Sequence, residues 1–571
     1  MRLDHFLAHW RSASGTRKPA WRRLLGWLGR SAEYAPLRRA VQALAFVVFL
    51  LLVLWTSWPY DAKPDAAATG WPSHAADRLT AKEFLPVDGF LAIDPLVAIS
   101  TALAARTWVW SLAAAAGILL VCVLIPRGFC GYLCPLGTLI DLFDWGVGRR
   151  ITRFRVAEVG WWRHLRYLVL AACLVAAVGG VMLAGAVAAI PVITRGLAFA
   201  VDPLVLGLVR GWHAVPPPNA GHVVSLALFA GVLVVGLLRP RFWCRHLCPS
   251  GAVFSLANRL RANERKVTTA CIDCGACVRA CPFDAINPDF STRTDACTLC
   301  QTCGGSCPVQ AITFTGRSAS IAGKPVQPAA VQPQVSRREL LGAGVAGALG
   351  AIGVRTGSTP VEADPVLRPP GSVPEAQFLQ LCIRCDACLK VCPNSVLQPL
   401  GFARGLDGLW TPVVRPEWAG CEPSCNACGR ACPTGAIRDL PLEEKRHARI
   451  GLAVVDTSTC LPWAGHEACQ LCVDECQAAG YDAIEFRRSQ VELDEQGEPV
   501  EGTGFLAPVV DAAKCVGCGL CQTRCVAINV RQRGVLADTA IAVLAGPGRE
   551  DRIASGSYRE LRAEAGDVAR P

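Results

Sequence analysis

The chain has 571 residues, of which 52% are hydrophobic, 18% are charged and 30 are cysteines. The apolar excess predicts membrane-spanning segments, and so many cysteines at short, regular spacings exclude an ordinary cytosolic enzyme. The formal charge of +11 does not predict nucleic-acid binding, because much of the basic excess flanks apolar runs, where it orients membrane proteins.

Four apolar runs are long enough, or nearly so, to cross about 30 Å of hydrocarbon as helices. They cover residues 40–58, 107–125, 167–190 and 221–238. Lys and Arg alternate in number along the flanking segments: nine in 1–39, three in 59–94, seven in 126–166, two in 191–220 and seven in 239–266. Cytoplasmic loops carry such an excess. The sequence therefore predicts a multi-pass protein of the inner membrane, with a basic cytoplasmic N-terminus, 1–39, and a four-helix membrane domain, 40–262.

The membrane domain contains an internal duplication. Cys130-Gly-Tyr-Leu-Cys134-Pro follows the second run, and Cys244-Arg-His-Leu-Cys248-Pro follows the fourth, at a constant offset of 114 residues. The i, i+4 spacing puts the two thiols of each pair on one helical face, and four thiols are enough for one cluster or one zinc ion. A redox-active dithiol and a purely structural pair are the alternatives. His246 is a further ligand or proton carrier, or else an interfacial histidine without a special role.

Six further cysteine motifs follow the membrane domain. Two lie in a domain predicted over 263–315 and have the pattern Cys-x2-Cys-x2-Cys-x3-Cys-Pro; they comprise Cys271, Cys274, Cys277 and Cys281, then Cys297, Cys300, Cys303 and Cys307. Four lie in a domain predicted over 356–535, two of them with a longer first gap. These comprise Cys382, Cys385, Cys388 and Cys392; Cys421, Cys425, Cys428 and Cys432; Cys460, Cys469, Cys472 and Cys476; and Cys515, Cys518, Cys521 and Cys525.

This spacing is typical of bacterial ferredoxin domains that bind [4Fe–4S] clusters. Disulfides would not repeat one spacing six times, and zinc sites use Cys-x2-Cys pairs. Because the fourth cysteine ligates the neighbouring cluster in two-cluster ferredoxins, we expect Cys307 to complete the first site and Cys281 the second. For the last four motifs, adjacent crossing (first with second, third with fourth) competes with a nested arrangement (first with fourth, second with third). The remaining Cys122 and Cys173 lie inside predicted spans and are expected to be packing residues.

A linker, 316–335, joins the two ferredoxin domains and is followed by Ser336-Arg337-Arg338 and a short apolar run. Twin arginines in this position are typical of an export signal. We interpret segment 336–355 as an uncleaved signal that forms a fifth crossing. Residues 263–335 would then be cytoplasmic and residues 356–571 periplasmic. Residues 536–571 are expected to form an irregular tail. The alternative is an interdomain helix, with every domain cytoplasmic. Glycines at 342, 344 and 347 match a dinucleotide fingerprint, but no strand is predicted before them, so we expect no nucleotide partner.

Residues 35–315 resemble NapH, the membrane-bound quinol-dehydrogenase component of periplasmic nitrate reductase systems, in their spans, Cys-x3-Cys-Pro motifs and two ferredoxin repeats. Residues 336–530 resemble NapG and its relative MauM of methylamine utilisation, in the twin arginines and the four motifs, including the irregular Cys460-x8-Cys469. The chain looks like a fusion of two NapH/NapG-type (MauN/MauM-like) polyferredoxin components. The expected fold class is an α-helical membrane domain of four spans plus a fifth, twin-arginine-type segment, with α+β ferredoxin-like [4Fe–4S] domains.

The resemblance implies electron flow from quinol through about six [4Fe–4S] clusters, or seven if the membrane cysteines hold one, toward a periplasmic reductase or cytochrome. The expected partners are this acceptor, the quinone pool and the lipid bilayer. No residue is assigned a catalytic role, although Asp141 and Asp144 are candidate proton acceptors or else acids near the headgroups. Whether the chain is itself a quinol dehydrogenase is left open. A non-catalytic electron relay and a maturation or redox-maintenance factor for a periplasmic metalloenzyme are the alternatives.

Overall fold

A computed structural model describes the following residues of the chain: 33–58, 89–148, 150–151, 162, 164–321, 323, 337–357, 365–492, 496, 500 and 502–568. They form two units. The first contains the described residues up to 53, with 89–196 and 224–353, and the second contains the described parts of 54–88, 197–223 and 354–571. The first unit therefore contains the predicted first ferredoxin domain and most of the predicted membrane domain, whereas 197–223 and the described part of 54–88 belong to the second unit.

Helices dominate the first unit. Their bounds are α1 Pro36–Ser57, α2 Gly89–Ala92, α3 Pro95–Ala105, α4 Ser111–Leu124, α5 Pro135–Phe143, α6 Leu165–Val178, α7 Ala184–Val187, α8 Ala189–Arg210, α9 Ala220–Val234, α10 Pro249–Ala257, α11 Ala276–Ala280, α12 Thr302–Ser306 and α13 Arg337–Gly357. Two strands, β1 Asn263–Val267 and β2 Ile312–Gly316, pair antiparallel. Helices α8 and α9 begin in one unit and end in the other.

Among the described residues, three helices are long and apolar enough to cross a membrane: α1 as far as Thr56, α8, and α9 with its continuation to Leu237. Helices α3, α4, α6 and the 341–353 part of α13 are apolar but shorter. The predicted runs at 40–58 and 221–238 thus correspond to long helices, whereas the run at 107–125 contains a helix of only 14 residues.

The third predicted run, 167–190, is wrong as a single helix. Helix α6 ends at Val178, the chain turns at Gly180 with a φ of +78°, and α8 starts at Ala189, so most of the predicted loop 191–220 is helical. This helix was not predicted because Arg195, Asp202 and Pro203 interrupt its apolar pattern. Arg195 is fully buried and donates to Ser225 Oγ at 2.9 Å and to two backbone carbonyls. These polar partners offset the cost of burying its charge.

Helix α13, which carries the twin arginines and the three fingerprint glycines, packs closely against α6. A Cβ at Gly347 would lie 2.7 Å from Ala172 Cα, whereas a Cβ at Gly344 would meet nothing within 4 Å. Small residues permit such close helix approach in membranes. The glycines therefore lie along one helix rather than in a strand-to-helix turn.

This contact predicts opposite outcomes for two alanine substitutions on the same helix. We expect Gly347→Ala to destabilise the full-length protein by about 1–3 kcal/mol, because the added methyl overpacks the α6–α13 contact. Gly344→Ala should be neutral or slightly stabilising, because alanine is the better helix former. Thermal unfolding of the detergent-solubilised chain measures both, and equal shifts in Tm for the two variants would contradict the packing described here.

The second unit is built from short helices and three two-stranded antiparallel sheets. The helices are α14 Glu375–Leu381, α15 Ala387–Lys390, α16 Gly405–Gly408, α17 Ala427–Arg430, α18 Leu442–Lys445, α19 Leu471–Ala478, α20 Leu520–Cys525 and α21 Tyr558–Val568. The strands are β3 Leu397–Pro399 with β4 Pro412–Val414, β5 Leu452–Val455 with β8 Ile541–Leu544, and β6 Ile484–Ser489 with β7 Phe505–Val510.

The segment after residue 535 is part of this unit, so the expectation of an irregular tail is wrong. Strand β8 pairs with β5 from Leu452↔Leu544 to Val455↔Ile541. Further along, Tyr558 is fully buried, and Arg552 Nη1 lies 2.6 Å from Glu375 Oε2. These contacts could not be predicted from the mixed charge of the segment, because its acidic and basic side chains pair with residues that are far away along the chain.

Candidate cluster-binding sites

In the first unit, the fourth cysteine of each ferredoxin motif lies at the cavity formed by the other motif, as predicted. One cavity, site 1, is lined by Cys271, Cys274, Cys277 and Cys307. A second, site 2, is lined by Cys297, Cys300, Cys303 and Cys281. Each motif thus provides three cysteines to one cavity, and its fourth cysteine leaves on a short helix to line the other. Cys274 of site 1 is exposed.

In the second unit, the four motifs are crossed in adjacent pairs. The first two motifs form site 3, lined by Cys382, Cys385, Cys388 and Cys432, and site 4, in which Cys421, Cys425, Cys428 and Cys392 lie within electrostatic range of one another. The last two form site 5, lined by Cys460, Cys469, Cys472 and Cys525, and site 6, lined by Cys515, Cys518, Cys521 and Cys476. The nested alternative does not occur.

The sites have the chemistry that an iron–sulfur cluster requires. The five cavities have similar sizes, about 320–360 Å³ of space between protein atoms and partly open to solvent. The fourth cysteine commonly accepts a backbone N–H bond, as in Ala285 N to Cys281 Sγ at 3.2 Å and Ala483 N to Cys476 Sγ at 3.3 Å. Hydrogen bonds to sulfur stabilise thiolate charge. The residues present therefore fit a polynuclear group that is held by four thiolates.

Burial opposes the ionisation of several site thiols. It raises the pKa of Cys382 to about 11, that of Cys425 to about 12 and that of Cys297 to about 12. A thiolate ligand in such a place needs positive charge next to it. Within the described part of the chain, no group of His, Cys, Asp or Glu side chains is arranged to hold a single metal ion.

Sites 4 and 6 are joined directly. Cys421 N donates to Cys518 O at 2.7 Å, and Gly420 lies so close to Leu520 that a Cβ would come within 2.4 Å of its side chain. Tyr481 lines site 6, and both Cys518 and Cys421 are close enough to influence the ionisation of its hydroxyl group. The sites of the second unit are therefore arranged in the order 3, 4, 6, 5.

A buried lysine lies beside site 4. Lys445 is 4% exposed and its Nζ donates to the backbone carbonyl of Glu422. Burial alone would lower the pKa of Lys445, but the thiolates of Cys421 and Cys425 raise it above its usual value. Among the carboxylates that the structure describes, none forms an ion pair with this ammonium group. The thiolates of site 4 therefore favour the charged form of this buried ammonium group.

Site 3 adjoins the connection between α8 and α9. Trp410, whose side chain lines site 3, donates from Nε1 to Gly221 O at 2.8 Å. Asn219 Nδ2 donates to Pro399 O at 2.8 Å, and Arg210 Nη1 donates to Pro393 O at 3.0 Å. These bonds lie within the second unit and attach site 3 to residues 210–221.

The two Cys-x3-Cys-Pro motifs have the same backbone conformation. Each occupies a π-helical turn, closed by Cys134 N to Phe129 O at 2.8 Å and by Cys248 N to Trp243 O at 2.9 Å. Each second cysteine then caps the helix that begins at the following proline. The thiols of both pairs are close enough for each to influence the ionisation of others in the group. The duplicated motifs thus form one group, the membrane cysteine group, comprising Cys130, Cys134, Cys244 and Cys248.

The membrane cysteine group adjoins site 2. Tyr132 Oη donates to Leu299 O at 3.0 Å, and a Cβ at Gly131 would lie 3.1 Å from Thr298 Cβ. Asn258 Nδ2, one helix beyond Cys248, donates to Cys297 O at 3.1 Å. The loop that lines site 2 therefore rests on the turn that carries Cys130 and Cys134.

Two arginines at matched positions of the duplication, Arg127 and Arg241, flank this group. Both have a positive φ, 48° and 55°, and both are buried. Arg241 binds Asp141 through Nε at 2.6 Å and Nη2 at 2.7 Å. Although burial opposes ionisation, Arg241 and Arg39 hold the pKa of Asp141 well below its usual range. Asp141 is therefore an ion-pair partner of the arginines rather than a proton acceptor.

Sequence reasoning missed several of these residues. The two arginines recur at the same offset as the cysteines, so the duplication could have revealed them. Asp94 had no such signal: it is fully buried, caps α3, and accepts from Ser250 Oγ at 3.0 Å.

His246 packs against the Phe242 ring, with 4.8 Å between centroids, and burial lowers its pKa to about 4. Cys122 and Cys173 are buried, away from the six sites.

Comparisons with known proteins show which families and relatives the chain is similar to. Residues 107–155 and 222–268, which contain the two Cys-x3-Cys-Pro motifs, match a family described as a 4Fe-4S binding domain, and residues 265–287 match a second family of that description. The chain is 37% identical over 199 residues to the methylamine utilization ferredoxin-type protein MauM of Paracoccus denitrificans (strain Pd 1222), which covers 34% of this chain and 80% of that protein.

Two relatives from Escherichia coli (strain K12) are also similar. The ferredoxin-type protein NapG is 36% identical over 203 residues, 34% of this chain and 83% of NapG. The ferredoxin-type protein NapF is 33% identical over 160 residues, 28% of this chain and 79% of NapF. No solved structure matches the chain significantly.

Proposed function

Because the chain belongs to the Nap/Mau-type family of ferredoxin-type proteins and is an iron–sulfur electron-transfer protein with [4Fe–4S] clusters, we propose that it oxidises quinol at the membrane and passes the electrons toward a periplasmic reductase of the nitrate-reductase type. The observation that carries this proposal is the set of adjoining four-cysteine sites in each unit. In the first unit this set begins at the membrane cysteine group, which lies next to apolar helices. Each bound cluster would accept and release one electron.

The ligands follow from the cavities. Sites 1 to 6 would each hold one cluster through the four cysteines that surround it, with Cys281, Cys307, Cys392, Cys432, Cys476 and Cys525 as the exchanged ligands. Backbone N–H groups near these cysteines would stabilise their thiolates. The contact between Cys421 and Cys518 would keep sites 4 and 6 close, so that the four sites of the second unit form one path.

The membrane cysteine group would hold a seventh cluster. Two observations support this: the four thiols form one group, and both motifs lie in segments that match a 4Fe-4S binding family. Arg127 and Arg241 would provide buried positive charge beside a four-thiolate anion. The match of one half of the chain to NapG and MauM, together with this membrane half, also supports the proposal that the chain is a fusion of two components.

The contacts of the second unit support a periplasmic location for residues 356–571. The segment that joins α8 to α9, residues 211–220, contains no Lys or Arg, and by the positive-inside rule such a segment favours the periplasm. Trp410 binds Gly221 directly after this segment. Residues 263–335 would then be cytoplasmic, with α13 as an uncleaved crossing in between.

Anaerobic mixing of the solubilised, cluster-loaded protein with a low-potential quinol tests the proposal. We expect the cluster absorbance to bleach and EPR signals of reduced clusters to appear, and a quinone-site inhibitor should block both changes. The double variant Cys130→Ala/Cys244→Ala should lose about four iron atoms per chain and its reduction by quinol, while dithionite still reduces the remaining clusters.

The control is Cys173→Ala, because Cys173 is a buried cysteine of the same unit that lines none of the described cavities and lies on α6, outside the two turns of the membrane cysteine group. It should retain both the iron content and the reduction by quinol. If quinol fails to reduce the unmodified protein although dithionite does, the quinol-dehydrogenase function is wrong. A relay or a maturation role would then replace it. Unchanged iron content in the double variant would show that the membrane cysteine group holds no cluster. The rest of the proposal would not be affected.

A further inference from the structure

The second unit exposes a small apolar patch formed by Phe402 and Leu406. Phe402 is 48% exposed and Leu406 53% exposed, on two short helical turns, 402–404 and 405–408. The residues that follow on the other side of these turns, Leu409 and Trp410, are buried. The segment is therefore amphipathic, and its apolar side has no partner among the described residues of the unit.

This patch lies beside the start of a helix that is long and apolar enough to cross a membrane. A Cβ at Gly401 would come within 3.6 Å of Ala220 Cβ, and Ala220 is the first residue of α9. The bond from Trp410 to Gly221 fixes the segment from its other end. Phe402 and Leu406 are therefore held next to the position where α9 would enter the bilayer.

The neighbouring end of α8 has the same character. Leu208 is 80% exposed, and Trp212, just beyond the helix, is 62% exposed. Exposed leucines on a spanning helix contact acyl chains, and tryptophan is enriched at the membrane–water interface. An exposed apolar patch that continues such a surface indicates an interaction site.

We propose that Phe402 and Leu406 insert into the interface of the lipid bilayer and hold site 3 at the membrane surface. The occupant is lipid because the patch continues the apolar surface of α8 and α9, and because an amphipathic segment lying along the membrane buries its apolar side at the headgroup boundary. Trp410 connects this segment to the cavity of site 3. This inference rests on the proposed membrane location of α8 and α9, but not on quinol oxidation.

A photocrosslinking amino acid at single positions of the full-length protein tests the proposal. Phe402→benzoylphenylalanine is illuminated in native membranes, and the protein is analysed by gel electrophoresis and mass spectrometry. We expect a phospholipid adduct on the peptide that contains residue 402. The same substitution at Leu406 provides a second position should the first variant fail to fold, and cluster absorbance confirms integrity.

Two positions serve as controls. Trp212→benzoylphenylalanine should also yield a lipid adduct, and Leu506→benzoylphenylalanine should yield none, because Leu506 is 50% exposed on β7 without a neighbouring span. If Trp212 takes up lipid but positions 402 and 406 do not, the inference is wrong. A crosslinked dimer of the chain, or a band from another protein, would equally overturn it. If position 212 also yields no lipid adduct, the proposed membrane location of α8 fails as well.

Discussion

Cys432→Ala is expected to free Cys382, Cys385 and Cys388, although these residues belong to a different motif. Cys432 completes site 3, together with these three cysteines, so its loss removes one of the four ligands of that site. Because such a cluster is held by four thiolates, we expect the cluster at site 3 to be lost with its fourth ligand, and about four iron atoms per chain with it. The freed thiols should then react with iodoacetamide after mild unfolding, and mass spectrometry identifies the alkylated positions.

The matched variant is Cys392→Ala, which removes the exchanged ligand of site 4. It should expose Cys421, Cys425 and Cys428 to alkylation and leave site 3 protected. If each motif instead held its own cluster, the two patterns would be interchanged. In a nested arrangement, Cys432→Ala would free cysteines of the third motif. The pattern of alkylation thus separates all three arrangements without any assay of electron transfer.

Lys445→Met is expected to lower the reduction potential of the cluster at site 4. The ammonium group of Lys445 is buried beside three thiolates of this site, and reduction adds one more negative charge there. For a separation of about 6 Å and an effective dielectric constant of 20, the lost attraction is roughly 3 kcal/mol. For a one-electron couple this corresponds to a shift on the order of 100 mV toward more negative values. Redox titration followed by EPR measures it.

Lys514→Met is the control for this measurement. Lys514 directly precedes Cys515 of site 6, but its side chain is 49% exposed and binds Glu485 and Asp511. Solvent and these carboxylates screen its charge, so no potential in the spectrum should move measurably. A comparable shift in both variants, or none in Lys445→Met, would show that Lys445 does not act on the cluster through its charge.

The sequence could predict the members of each motif, because three close thiols and a distant fourth reflect the geometry of one cluster. It could not decide between adjacent and nested crossing, because the choice depends on contacts between loops, such as that of Cys421 with Cys518. Lys445 likewise has no signature: it lies on a short helix seventeen residues after Cys428, and only the fold brings it to site 4.

The membrane half was predicted less completely, for a related reason. Apolar runs indicate helices only where the helix is uniformly apolar. Helix α8 contains Arg195, whose buried charge is stabilised by internal hydrogen bonds, and the polar positions of this helix made the segment look like a loop. Conversely, the run at 167–190 looked continuous although Gly180 breaks it. The matched conformations of the two Cys-x3-Cys-Pro turns, by contrast, follow directly from the duplicated sequence.

The pairing of β5 with β8 bears on how the protein is made. Ala540 and Ile541, at the start of the last strand, line site 5 together with Cys460 and Cys525. Both residues follow all four cysteine motifs of the unit along the chain, so the ribosome makes the ligands of site 5 before it makes this part of the cavity wall. A chain that stopped before β8 would contain every cysteine of site 5 but would lack this wall.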